Sequence, residues 1–259
     1  MNKNNSQRRA LITGISGQDG AYLAKLLLEN GYDVYGGLRR SASRNLWRLE
    51  DLGLIDRIKF VNFELSEFSN IFNAINDIKP NEVYNLASNS DVAIGHKQPL
   101  YTGEVDALGV TRILEAIRII DSSIRFYQAS SSEMFGNAEI APQTEISPFN
   151  PRSPYGITKL YAHWTTVNYR EAYNLYATSG ILYNHESPLR GTEFVTRKVT
   201  SGLAKIRCGL EDCIFLGNLD SERDWGHAAD YMRGIWQILQ LDEPEDFILA
   251  TGKLHGIRD

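Results

Sequence analysis

Arg9-Ala10-Leu11-Ile12-Thr13-Gly14-Ile15-Ser16-Gly17-Gln18-Asp19-Gly20 opens as a β-rich run and passes at once into three glycines spaced G-x-x-G-x-x-G. Behind them Tyr22, Leu23, Leu26 and Leu27 recur at helical spacing, and Gly31 stands where such a helix would stop. Strand, glycine turn and helix in that order make the spacing informative. Glycines let the backbone come close to a pyrophosphate, and a helix N-terminus directs N–H groups at its negative charge. A tight turn without a ligand is the competing reading. The strand-to-helix context favours dinucleotide binding.

Moving outward, Asp33–Leu38 reads as a second strand that ends in Arg39-Arg40-Ser41. An NAD-selective site usually places Asp or Glu there for the ribose 2′-hydroxyl, whereas arginines and a serine suit a 2′-phosphate. The expected cofactor is therefore NADP, with a solvated basic loop as the alternative for Arg40. Lys59–Asn62 is a third strand, followed by Phe63-Glu64-Leu65 and a helix-like run to Asp77. Glu82–Ala87 is a fourth, and the small Ala87 and Ser88 at its end leave room for a cofactor across the strand tips. An amphipathic helix is expected from Asp106 to Ile120 with Leu108, Ile113, Leu114 and Ile117 inward. Arg125–Ala129 is strand five, delivering Ser130, Ser131 and Glu133 to the same sheet edge. Pro148–Pro154 is an extended lead-in to a helix starting at Tyr155, and Tyr176–Leu182 is strand six.

Strands alternating with helices at this rhythm predict an α/β fold: a Rossmann-type, doubly wound parallel sheet with helices on both faces. Residues 1–183 form the expected cofactor-binding domain. Residues 184–259 form mainly a small substrate-binding lobe, with a late strand near 247–251 returning to the main sheet.

Tyr155-Gly156-Ile157-Thr158-Lys159 places a phenol and an ammonium at i and i+4, on one helix face. A neighbouring lysine stabilises phenolate, so Tyr155 is expected to ionise below its ordinary pKa of roughly 10. The Y-x-x-x-K pattern alone occurs by chance on ordinary helices. With the glycine turn and Ser130-Ser131-Ser132-Glu133 at a strand end, it points to oxidoreductase chemistry.

The 259 residues are 42% hydrophobic and 23% charged, an ordinary globular composition. A net charge of -5 argues against general affinity for nucleic acid or an anionic membrane. Arg190, Arg197, Lys198 and Arg223 nevertheless concentrate positive charge late in the chain, which suits a substrate diphosphate as well as a salt-bridged surface. Two cysteines, Cys208 and Cys213, and a polar Met1–Arg9 without an apolar core fit a cytoplasmic protein without disulfides or a signal peptide. The five histidines show no metal-ligand spacing, so no metal is expected. Neither Ser131 nor Ser132 lies in a G-x-S-x-G elbow, which argues against a serine hydrolase.

The chain resembles the extended short-chain dehydrogenase/reductases, and within them the GDP-mannose 4,6-dehydratase family, over essentially its whole length. The stretches that carry the resemblance begin with Thr13–Gly20 (TGISGQDG), Arg39-Arg40-Ser41, Phe126–Gly136 (FYQASSSEMFG) and Pro151–Lys159 (PRSPYGITK). They continue through Asn168–Glu171 (NYRE), Asn184–Gly191 (NHESPLRG), Phe194–Lys198 (FVTRK) and Leu216–His227 (LGNLDSERDWGH). NHESPLRG and RDWGH belong to the dehydratases rather than to the superfamily at large.

The resemblance implies a catalytic set of Ser131, Glu133, Tyr155 and Lys159. It implies NADP contacts from Thr13, Gly14, Gly17, Gln18, Asp19, Gly20, Arg39, Ser41, Glu64, Leu65, Leu86, Ala87, Tyr155 and Lys159. A GDP-sugar would be held by Asn184, Arg190, Lys198 and Arg223, in a homodimer or homotetramer. The implied reaction oxidises the sugar at C4, removes water across C5–C6 and reduces C6.

Three departures from the family pattern stand out. Ser131 replaces a usual Thr, Glu64-Leu65 a usual Asp-Leu, and Ala87-Ser88-Asn89-Ser90-Asp91 an Ala-Ala-Gln-Ser type segment. Family members also run on past the point matching Asp259, so part of the substrate lobe is expected to be missing. Two alternatives follow: the same chemistry on another GDP-sugar such as a GDP-manno-heptose, or a catalytically silent NADP-binding homologue.

Overall fold

The computed structural model describes residues 7–90, 92–138 and 140–258, so Asp91, one of the departures above, lies outside the described residues. The first half runs β1 (Arg9–Thr13), α1 (Gln18–Glu29), β2 (Asp33–Leu38), α2 (Trp47–Asp51), β3 (Lys59–Asn62), α3 (Phe68–Ile78) and β4 (Glu82–Asn85). Next come α4 (Val92–Lys97), α5 (Pro99–Thr102), α6 (Gly109–Ile120), β5 (Arg125–Ser131), α7 (Pro154–Tyr173) and β6 (Ala177–Leu182). The last part holds β7 (Asn184–Glu186), α8 (Val195–Arg207), β8 (Glu222–His227), α9 (Ala228–Ile238), β9 (Phe247–Leu249) and β10 (Leu254–Gly256).

Seven strands form one sheet in the order β3-β2-β1-β4-β5-β6-β9, every neighbouring pair parallel. Side chains alternate across the pleat, so one strand feeds two cores. Ala10 and Ile12 pack with Leu23 and Leu27 of α1 and with Met232 and Ile235 of α9. Leu11 points the other way, into Ile71 and Ile75 of α3, Ile113 and Ile117 of α6 and Ala162 of α7. Ile12 and Leu11 are both fully buried, and truncating either to Ala costs on the order of 2–5 kcal/mol. The order in which strands are added reverses between β1 and β4, and at that switch point the strands' C-terminal ends open a crevice.

Polar anchors fix the outer elements. Glu82, buried at the start of β4, accepts from Tyr84 Oη at 2.8 Å, Tyr32 Oη at 3.1 Å and Gln240 Nε2 at 3.3 Å. That network ties the sheet to the end of α9. Asp246 takes two bonds from Arg170 of α7, at 3.0 and 2.7 Å, and one from the Ser179 amide at 2.7 Å, which lays β9 beside β6. A three-stranded sheet, β10-β8-β7, stands beyond the main one. Buried Asp224 of β8 holds the Thr251 and Gly252 amides at 3.0 and 2.7 Å, so part of the RDWGH stretch is architectural.

Some local expectations change. The helix expected from Asp106 runs from Pro99 to Ile120 through a π-helical turn, Gly103–Leu108, between α5 and α6. Leu108 is 42% exposed rather than inward. It precedes Ile113 by five residues, about 140° around a helix of 3.6 residues per turn, and so faces away from the core. Pro154 is the first residue of α7 rather than part of the lead-in, since proline's fixed φ and missing N–H suit that position. Ser153 caps it, its Oγ accepting from the Gly156 amide at 3.0 Å. β4 ends at Asn85, leaving Leu86 and Ala87 just past the strand.

Candidate active site

The C-terminal ends of these strands open into a cleft of about 840 Å³. Its floor begins at the glycine turn. Gly14 has φ +69°, and a Cβ there would lie 2.8 Å from the Ala87 amide nitrogen; one on Gly20 would overlap the Gly14 carbonyl oxygen. The turn is thus packed as closely as backbone allows. Thr13 locks it to β4: its Oγ1 donates to Asn85 Oδ1 at 2.6 Å and accepts from the Leu86 and Ala87 amides, both at 3.1 Å. No side chain caps the first turn of α1. Uncapped N–H groups beside a glycine turn that lines a cleft form an anion site of the right kind for a pyrophosphate.

Tyr155 and Lys159 face the same cleft from α7, with Ser131 and Glu133 opposite at the end of β5. Ser131 lines the cleft with the Tyr155 phenol, and its Oγ accepts from the Glu133 amide at 3.2 Å. Lys159 is buried, donating from Nζ to Ala129 O at 2.8 Å, 5.5 Å from the centre of the Tyr155 ring. Burial, then the Asp106 carboxylate, push the Tyr155 phenol well above its ordinary value; Ser131 opposes them and Glu133 adds to them. The expectation that Lys159 brings Tyr155 toward neutrality is therefore corrected for the protein's own atoms. Desolvation of the phenolate outweighs an ammonium that bonds to a carbonyl instead. Burial also lowers Lys159, while Asp106 and Asp19 hold its charge.

A second polar group ties the glycine turn to the segment after β6. His185 Nδ1 meets Tyr183 O and its Nε2 meets Asp19 Oδ2, both at 2.8 Å, and the ring stacks on Tyr231. Burial lowers the His185 pKa, but the Asp19 charge overrides it and the net movement is upward. Asp19 is opposed by burial too, yet the His185 charge and hydrogen bonds bring it down to about 2. Arg48 of α2 donates to Leu189 O at 2.6 Å and to Ser16 O at 3.2 Å, bridging the same two segments.

All four expected catalytic residues line this cleft, as do Thr13, Gly14, Gly17, Gln18, Asp19, Gly20, Arg39, Ser41, Glu64, Leu65, Leu86 and Ala87. Asn184 and Arg190 line it as well; Arg190 pairs with Glu186 at 3.2 Å and stacks 3.5 Å over Phe194. Lys198 and Arg223 do not join them: both are exposed, on α8 and β8, and Arg223 donates to Glu222 O. Sequence reasoning missed Arg48, His185 and Asp106. His185 lay inside a motif already singled out, and Asp106 is a carboxylate on the inward side of an apolar helix. Nothing in the sequence distinguished Arg48 from a surface arginine.

Sheet order, glycine turn and the Ser131–Tyr155–Lys159 grouping define an extended short-chain dehydrogenase/reductase. Solved structures of sugar-nucleotide enzymes share the fold, two of them at TM-scores of 0.85 and 0.84. One is a UDP-glucose 4-epimerase from Thermotoga maritima, with TM-score 0.85 and 22% identity over 96% of this chain and 79% of that one. The other is DesIV, a dTDP-glucose 4,6-dehydratase from Streptomyces venezuelae, with TM-score 0.84 and 21% identity over 96% of this chain and 78% of that one. The sequence profile of the GDP-mannose 4,6 dehydratase family matches residues 11–259, and the chain belongs to that family. The GDP-mannose 4,6-dehydratase of Yersinia enterocolitica is 52% identical over 97% of this chain and 70% of its own length. The GDP-mannose 4,6 dehydratase of Homo sapiens is 50% identical over 96% of this chain and 69% of its own length. Among the described residues no helix is long and apolar enough to cross a membrane.

Proposed function

We propose that this chain is a hydro-lyase that dehydrates GDP-mannose to GDP-4-keto-6-deoxymannose with NADP. The observation that carries the proposal is that Ser131, Glu133, Tyr155 and Lys159 converge on one cleft with the glycine turn in a member of this family. The uncapped start of α1 would hold the pyrophosphate, and Arg39, with Ser41 beside it on the rim, a 2′-phosphate. Bound there, a nicotinamide would supply the acceptor and donor of hydride.

The chain's own groups move the protons. Tyr155 takes the proton of the C4 hydroxyl, with Ser131 hydrogen-bonded to the same oxygen. A C4 ketone makes the C5 proton acidic; Glu133 removes it and protonates the departing C6 hydroxyl. Arg190 and Asn184 would face the GDP-sugar from the β7 side, where His185, Gly191, Glu193, Phe194 and Val195 also line the cleft. Ser88 and Asn89 commit their side chains to Asp106 and Thr102, at 2.9 and 3.0 Å, so this altered segment does not by itself argue for a heptose substrate. Ile157, Tyr161 and Trp164, exposed along α7, supply an apolar face for a second copy of the chain, which sedimentation analysis would reveal.

Incubation with GDP-mannose and NADP⁺ should give a sugar nucleotide lighter by one water, with no net change in nicotinamide absorbance. Tyr155→Phe should abolish the first oxidation. Glu133→Gln should leave a 4-keto sugar that has not lost water. Dehydration by Glu133→Gln at the unmodified rate refutes its role, and no product from any unmodified preparation refutes the activity.

A further inference from the structure

Arg190 lines the cleft with a side chain only 16% exposed, and its buried Nε finds no hydrogen-bond partner among the described residues. Buried guanidinium donors are ordinarily spent on acceptors, so an unspent one at a cleft marks the place of an acceptor ligand. Two contacts fix how the group is held. Its Cζ lies 3.5 Å from the centre of the Phe194 ring, which sets the plane of the guanidinium. Its Nε lies 3.2 Å from Glu186 Oε2, close enough for an ion pair but not aligned for a hydrogen bond. That contact engages the inner edge and leaves the outer Nη edge for the cleft.

Glu186 does not line the cleft itself. It is the last residue of β7, on the strand face opposite buried His185, and its side chain is 15% exposed. The same Oε2 that meets Arg190 accepts from Thr196 Oγ1, on the second residue of α8. Two successive turns bring these groups into register. The Arg190 amide donates to Ser187 O at 3.0 Å, and the Phe194 amide to Gly191 O at 3.2 Å. Glu186, Arg190, Phe194 and Thr196 thus close a clip between the end of β7 and the start of α8.

We infer that Glu186 is a positioning residue: held by Thr196, it sets Arg190 on the Phe194 ring with its outer edge toward a phosphate bound in the cleft. A largely buried guanidinium needs a counter-charge, and Glu186 supplies it from behind the cleft's lining. An arginine fixed before the ligand arrives loses less rotamer freedom on binding. Its planar fork matches paired phosphate oxygens. The phosphate belongs to the GDP-sugar or to the dinucleotide, since the proposed function, on which this inference rests, places both in one cleft. Glu186 acts on either through Arg190 alone.

Calorimetric titration with GDP, and separately with NADP⁺, tests this on the unmodified protein, Glu186→Gln, Arg190→Met and the double variant. Glu186→Gln removes the charge and keeps an acceptor for Thr196. It should weaken at least one nucleotide by roughly five- to tenfold, and Arg190→Met by roughly 10–100-fold as charge-assisted bonds are lost. The double variant should bind no more weakly than Arg190→Met, because Glu186 has no other route to the ligand. Whichever nucleotide loses affinity carries the phosphate. Unchanged affinity for both, or a further loss when Glu186→Gln is added to Arg190→Met, overturns the inference.

Thr196→Val should weaken the same nucleotide by a smaller factor and Thr196→Ser should restore it. A Ser variant as weak as the Val variant overturns the clip. If Glu186→Gln does not fold, the Thr196 variants enter the same cycle with Arg190→Met. In turnover, Glu186→Gln should raise KM for the affected nucleotide more than it lowers kcat, whereas a general loosening of the site would lower kcat as well. If the cycle holds but unmodified protein yields no dehydrated sugar, the proposed function fails and the inference stands. Failure of the unmodified protein to bind either nucleotide overturns both.

Discussion

Asp19→Asn tests the ion pair that joins the glycine turn to the segment after β6. The Asp19 carboxyl falls from its ordinary 3.8 to about 2 in the folded protein. At roughly 1.4 kcal/mol per pH unit, that difference is worth about 2–3 kcal/mol of stability. The Asp19 side chain is only 25% exposed and that of His185 9%, so solvent screening takes little from it. The two ends of the window follow from the two directions. A depressed carboxyl contributes in full above its unfolded value of roughly 3.9, and the contribution is lost as pH falls toward about 2. A raised histidine contributes in full below its unfolded value of roughly 6.5, and the contribution is lost as pH rises through its folded value.

The pair should therefore stabilise most between about pH 4 and 6.5. Urea unfolding of both proteins at pH 5.5 should show Asp19→Asn less stable by about 2–3 kcal/mol. At pH 9 the gap should shrink, leaving the Gln18 hydrogen bond, the Arg190 charge and the helix-terminus contribution of a first-turn carboxylate, the last about 0.3–1 kcal/mol. A double-mutant cycle with His185→Gln at pH 5.5 should recover most of the larger figure as coupling. Equal losses at pH 5.5 and pH 9, or no coupling in the cycle, would refute the account of a charged pair.

Gly20→Ala should destabilise the fold by several kcal/mol, because its Cβ would overlap the Gly14 carbonyl oxygen, and thermal unfolding checks this. Gly17→Ala should unfold almost normally yet bind cofactor weakly, since its Cβ would sit 3.2 Å from Gly14 O, a contact small shifts can absorb; equal loss of stability in both variants contradicts that division. Arg48→Ala should weaken cofactor binding by roughly 10–100-fold through release of the Ser16 and Leu189 carbonyls, as two charge-assisted bonds are lost. Arg48→Lys should not rescue it, because a point charge cannot bridge both. NADP should bind more tightly than NAD, with Arg39→Ala narrowing the gap by about tenfold or less since Arg39 is exposed on the rim; equal dissociation constants in the unmodified protein refute the preference.

The main sheet was legible because its signals are local. Apolar runs such as Arg9–Thr13 and Arg125–Ala129, the glycine spacing from Gly14 to Gly20 and the Pro151–Lys159 lead-in each announce an element within a dozen residues. Alternation of strand and helix then leaves few topologies, and the C-terminal strand ends gather Ser131, Glu133, Tyr155 and Lys159. Charge was legible as composition but not as position: Lys198 and Arg223 stand among the same late basic residues as Arg190, yet only Arg190 lines the cleft. Which of them turns inward depends on how α8 and β8 lie against β7.

Ionisation was least legible of all. The Tyr155 phenol responds to burial and to Asp106, a residue 49 positions earlier brought alongside by a π turn. Asp19 and His185 become a pair only when α1 and the strand after β6 meet. Sequence spacing determines contacts along one element. The energy of a charge depends on the dielectric and the other charges around it, and both are assembled by tertiary packing.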